Sequence, residues 1–156
     1  MSTVKEKPIW KFTVNGRQNT NTQSVAEARG KSVVIDEPVP RGGTDEGPMP
    51  VEYVFMGLVG CTHVIANKLA AANGITFTSM DIKIDVTMDS HGTRLIHPID
   101  VPFPSCTLHI TAEFDGPREG AMKVTEQLRD HCAVSKMLQE SGTIVTENWM
   151  LNGVAV

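Results

Sequence analysis

Three side chains in this sequence can act as both nucleophile and redox group: Cys61, Cys106 and Cys132. Their number is odd, and no spacing among them resembles a zinc site. The start, MSTVKEKPIW, has no apolar signal core, so a cytoplasmic protein with thiols reduced at rest is expected. No metal or other cofactor is expected. Cys106 alternates with polar residues in SCTLHITAEF and reads as packing on the apolar face of a strand. Cys132 falls at the break before AVSKMLQESG, at the start of a short helix. Free N–H groups and the helix dipole stabilise a thiolate there, and His131 and Lys136 stand to add to the effect. Cys61 lies in PVEYVFMGLVGCTHVIANKLAAANG, where an isolated thiol is ordinarily inert packing. A bond between Cys61 and Cys132 requires Cα atoms within ~7 Å, which sequence separation neither supports nor excludes.

The element that must position Cys61 is the run from Pro50 to Gly74. Its only charges are Glu52 and Lys68. Pro50 suits a first helical turn and Gly74 a helix end. A helix apolar on every side is a buried helix. Glu52 and Cys61 are nine residues apart, so about 14 Å along the axis and on opposite faces. Either the helix bends or a second subunit brings Glu52 to the thiol, or Glu52 is only a favourable first-turn charge. Both readings stay open. His63 points away from Cys61 and reads as a hydrogen-bonded core or interface histidine.

Around this helix the pattern gives strands at 8–15, 23–28 and 31–36, with a turn at Asn15-Gly16 and a hairpin at Arg29-Gly30. The proline- and glycine-rich DEPVPRGGTDEGPMP must be a loop. Strands follow at 77–88 and 105–114. A helix starts after Pro117-Arg118-Glu119-Gly120, a second ends at Gly142, and TIVTENWML closes the order as a strand. This is an α+β chain with a largely antiparallel sheet, one domain over 1–156. One sheet cannot cover so apolar a helix, so a homodimer is expected. Glu52, His63, Asn67, Lys68 and the polar remainder argue against a membrane span. The net charge of −4 and scattered basic residues argue against nucleic acid.

The run DEPVPRGGTDEGPMPVEYVFMGLVGCTHV resembles the OsmC/Ohr family, the osmotically induced and organic hydroperoxide resistance proteins. The likeness rests on Gly42-Gly43, Gly47-Pro48, Pro50, Glu52 and Cys61, and on His131-Cys132-Ala133-Val134-Ser135 as the family's late helix-opening cysteine. The resemblance implies an OsmC-like fold, an intertwined homodimer with the long helices at its centre, and thiol-dependent peroxidase chemistry. Cys61 is then peroxidatic: it attacks an organic hydroperoxide and becomes a sulfenic acid. Cys132 resolves it to a disulfide, and a dithiol reductant restores both. The resemblance also implies an arginine and a glutamate around the thiolate: Glu52, and Arg17 ahead of Arg29. Two departures mark the chain. Val51 separates Pro50 from Glu52, where better-known branches have glutamate directly after proline, and the polar run QNTNTQ after Arg17 is long. This spacing, with the Asp36-Glu37-Pro38 run, resembles the OsmC-related branch.

A thiol among apolar side chains needs a positive neighbour to react as a thiolate. The helix offers only Lys68, seven residues on, so another element must supply the charge. Two functions compete: a peroxidase using Cys61 and Cys132, and a non-enzymatic dimer that binds small hydrophobic or electrophilic molecules in a stress response.

Overall fold

The computed structural model describes residue 9 and residues 11–156. The chain divides into two compact units, Met1–Tyr53 and Val54–Val156.

The first unit holds a three-stranded antiparallel sheet in the order β1-β2-β3, with β1 Asn15–Gln18, β2 Ser24–Ala28 and β3 Lys31–Ile35. The hairpin at Arg29-Gly30 is present. Both residues take positive φ, 54° and 73°, as a turn matching the strand twist requires. The first strand lies further along the chain than its alternation suggested. Residues 8 and 10 of the expected strand lie outside the described residues, and 11–14 precede the strand. Asn15-Gly16, expected as a turn, is instead paired with Glu27 and Ala26. The turn falls in the polar run after Arg17. There the Thr20 hydroxyl accepts from the Thr22 and Gln23 amides, and the Asn19 and Thr20 amides donate to the Gln23 carbonyl. Local side-chain acceptors of this kind let a polar run close a turn without an Asn-Gly pair.

After β3 the chain enters the glycine-rich loop, which is built on a carboxylate. Asp36 has no exposed surface. Its Oδ2 accepts from the Thr44 hydroxyl at 2.6 Å, the Thr44 and Glu46 amides at 3.2 Å and the Gln23 amide group at 3.3 Å; its Oδ1 accepts from the Glu37 amide at 2.8 Å. These donors, the Thr44 hydroxyl first, hold the carboxyl well below the usual range. The loop closes so tightly that a Cβ on Gly43 would sit 1.7 Å from the Glu37 carbonyl oxygen, and one on Gly47 2.3 Å from that of Val34. The Tyr53 hydroxyl ties the end of this unit back to the Val34 carbonyl at 2.7 Å.

Helix α1, Pro50–Ala72, leaves the loop and runs into the second unit. That unit has a four-stranded sheet in the order β4-β5-β6-β7, with β4 Thr76–Thr87, β5 Ser105–Asp115, β6 Ile144–Leu151 and β7 Val154–Ala155. β4–β5 and β6–β7 are antiparallel. β5–β6 is parallel, because α2, Arg118–His131, and α3, Ala133–Glu140, form the crossover between them. The sheet thus places Cys106, Leu108, Ile110, Ala112 and Phe114 of β5 in the core with Val124 and Leu128 of α2, Leu138 of α3 and Trp149 and Leu151 of β6.

One face of α1 joins this core: Phe55, Leu58, Thr62, Ala66 and Ala70, at helical spacing. Phe55 meets the ring of Phe103 edge-on at 5.0 Å. Gly74 takes φ 72° just past the helix, as expected of a stop. The expectation of a helix buried on every side does not hold for the single chain. Met56 and Val64 are 51% and 55% exposed, because one sheet covers only one face of a cylinder. The helix is long and apolar enough by composition to cross a membrane, yet that face is committed to the core of this unit.

Candidate active site

Cys61 and Cys132 come together in the second unit. Cys61 projects from the middle of α1 and is partly exposed, whereas Cys132 has no exposed surface; both are free thiols. Cys132 caps the N-terminus of α3 directly after α2 ends. Its amide donates to the Leu128 carbonyl and its carbonyl accepts from the Lys136 amide, both at 2.9 Å, so the residue is fixed in the joint between the two helices. Cys61 is its interacting side-chain neighbour. Two thiols of unequal exposure, facing each other across α1 and the α2–α3 joint, are what a sulfenic acid followed by a disulfide requires.

The electrostatics of Cys132 reverse the expectation of an acidified thiol. Burial pushes it up to about 11 from 9.0, and the neighbouring Cys61 thiol adds to this. The Ser135 and Val134 amides at the start of α3 pull the other way, but no capping hydrogen bond forms. An upward shift of this size corresponds to about 3 kcal/mol against the thiolate, whereas a helix terminus typically offers 0.3–1 kcal/mol in its favour. Desolvation therefore wins. Neither flanking basic residue figures among the causes, and Lys136 pairs with Glu140 at 3.2 Å.

Cys106 is the packed thiol that its strand position implied. It is fully buried in β5, and burial raises it to about 11. His63 is hydrogen-bonded, Nε2 to the Met80 carbonyl at 3.0 Å, though it is exposed in the single chain.

Glu52 and Arg17 belong to the first unit. Glu52 Oε2 accepts from the Met49 amide at 2.8 Å. With Pro50 as the first helical residue, this is the return bond of a capping box, made by the third residue of the helix to the capping residue. The bond gives physical content to the reading of Glu52 as a first-turn charge. Arg17 is exposed on β1, not in a turn, and its guanidinium donates to Asn19 Oδ1 at 3.0 Å. Arg29 sits in the β2–β3 turn. Asp36 is the residue that sequence reading missed. Its only signal was its place at the head of DEPVPRGG, and nothing there announced five hydrogen bonds.

The model of the OsmC-like protein family matches residues 43–147, and the chain belongs to that family. No match is found among curated proteins. Solved structures share the fold at low identity. An OsmC-like protein from Mycoplasma pneumoniae superposes with a TM-score of 0.76 at 18% identity, over 91% of this chain and 97% of that one. An organic hydroperoxide resistance protein OsmC from Legionella pneumophila gives 0.63 at 13% over 90% and 97%. An organic hydroperoxide resistance protein from Elizabethkingia anophelis gives 0.65 at 14% over 94% and 100%.

Proposed function

We propose that this OsmC-like protein is a thiol-dependent peroxidase that reduces organic hydroperoxides. Cys61, the partly exposed member of the pair, attacks the terminal peroxide oxygen and becomes a sulfenic acid as the alcohol leaves. The Cys132 sulfur then displaces water to form the disulfide, and a dithiol reductant restores both thiols. The observation that carries the reading is the pairing of Cys61 with a buried Cys132. The hydroperoxide resistance proteins among its structural neighbours agree with it.

The test is thiol titration and mass spectrometry before and after one equivalent of cumene hydroperoxide. Loss of two thiols and a Cys61–Cys132 disulfide is expected; three unchanged thiols would overturn the reading. Arg17 is assigned as the charge that activates Cys61, with Arg29 the alternative. Arg17→Ala should slow peroxide attack at least about tenfold, ~1.4 kcal/mol on the barrier. The apolar face that α1 leaves exposed, with Met56 and Val64, supports an intertwined homodimer; one domain per chain and a cytoplasmic location are part of the same proposal. A stable monomer at micromolar concentration in light scattering would refute the assembly.

A second reading is favoured by the high proton affinity of Cys132 and by the capping bond of Glu52. Under it the dimer binds small hydrophobic or electrophilic molecules without turnover, and Cys61 reacts once, as a sensor.

A further inference from the structure

We propose that the reductant enters the cycle at the Cys61 sulfur, and that Cys132 is always the leaving thiol. The inference rests on the disulfide reading above and adds its direction of reduction. Thiol–disulfide exchange is a displacement at sulfur, and the attacking thiolate must approach along the S–S axis from behind the sulfur it attacks. Cys132 belongs to the buried core that includes Leu128 and Leu138. Cys132 has no exposed surface. Its main chain is held in the α2–α3 joint by its amide, which donates to the Leu128 carbonyl, and by its carbonyl, which accepts from the Lys136 amide. In the single chain Cys61 on α1 keeps part of its surface exposed, where Cys132 keeps none.

The exchange balances as follows. A thiolate of the dithiol attacks Cys61 Sγ, forming a mixed disulfide. The Cys61–Cys132 bond breaks, and its electron pair stays on Cys132, which takes up a proton from solvent. The second thiol of the reductant, as its thiolate, then attacks its own bonded sulfur. It closes a cyclic disulfide and releases Cys61. Two electrons pass from dithiol to protein, and no other oxidant or reductant is needed. With Cys132 raised to about 11, only roughly one molecule in ten thousand carries its thiolate at neutral pH. Cys132 is therefore slow to re-attack the mixed disulfide, and the second thiol of the reductant has time to complete the reduction. The same property makes Cys132 a reluctant leaving group, so access fixes the site of attack while proton affinity limits its rate.

The experiment begins with the disulfide form made by one equivalent of cumene hydroperoxide, in the native chain and in Cys106→Ser. A limiting amount of N-acetylcysteine is added. The mixture is quenched with acid at short times, free thiols are alkylated, and peptides are read by mass spectrometry. N-acetylcysteine on Cys61 with the alkyl label on Cys132 is expected, in at least about tenfold excess over the reverse arrangement. Equal or greater modification of Cys132 overturns the inference while leaving the peroxidase reading intact. Failure of the disulfide to form at the first step overturns that reading, and this inference with it.

Discussion

On the proposed peroxidase reading, the step most exposed to test is resolution of the Cys61 sulfenic acid by Cys132, because there the desolvated sulfur limits the chemistry. Burial is the largest cause of its upward displacement to about 11. Oxidation of Cys61 removes the neighbouring thiol's smaller contribution but leaves the burial in place. If the thiolate is the species that attacks, its fraction is roughly 10⁻⁴ at pH 7 and 10⁻² at pH 9. Disulfide formation should accelerate about a hundredfold over that interval, about tenfold per unit. Had the helix terminus governed, with a thiol displaced downward, the rate would level off near neutrality. The assay is rapid mixing with one equivalent of cumene hydroperoxide, acid quenching at timed intervals, and mass-spectrometric counting of sulfenic acid and disulfide at each pH. In Cys132→Ser the sulfenic acid should persist at every pH. A resolution rate flat from pH 7 to 9 would refute the desolvation argument and return the α3 N-terminus to first place.

Glu52 separates into charge and cap. Glu52→Gln keeps the acceptor for the Met49 amide and should leave stability and peroxide consumption unchanged if capping is its role, whereas Glu52→Ala should cost about 0.5–2 kcal/mol in denaturant melts; loss of activity in Glu52→Gln would give the charge a catalytic part. Asp36→Ala removes the acceptor that gathers Gln23, Glu37, Thr44 and Glu46. It should speed hydrogen exchange at the Thr44 and Glu46 amides, and in the native chain the same loosening should appear only as pH falls below about 4, since a carboxyl held below its usual range stabilises above that range. Cys106, raised to about 11, contributes stability that is complete below about pH 9 and lost as pH climbs through 11, about 3 kcal/mol at most; Cys106→Val should flatten part of the alkaline decline in thermal melts, and an unchanged decline would count against it.

Alternation and helix punctuation gave most of the fold, because hydrophobic period and Gly or Pro signals act locally. Pro50, Gly74 and the Arg29-Gly30 hairpin all mark the boundaries they announced. The first strand was misplaced because the signal of Trp10, Phe12 and Val14 is apolar alternation, whereas the pairing chose the polar residues Asn15–Gln18. The register there is set by the Thr20 turn, which alternation does not encode. The extent of burial of α1 was not legible from one chain. Apolar residues on every face say that a helix must be covered, not what covers it.

The candidate site was legible in its residue types and illegible in its electrostatics, for one physical reason. A helix N-terminus is a local feature, so the sequence announces its pull on Cys132. Desolvation is a tertiary property, the summed removal of water by α1, α2 and the sheet, and no stretch of sequence carries it. Where the two oppose each other, the tertiary effect is the larger: about 3 kcal/mol against roughly 1. The same burial that slows Cys132 as a nucleophile shields it from competing thiols and fixes it in the α2–α3 joint. A buried resolving thiol thus trades speed for direction. On the proposed peroxidase reading it closes onto Cys61, its interacting neighbour, and leaves the partly exposed Cys61 to meet both the peroxide and the reductant.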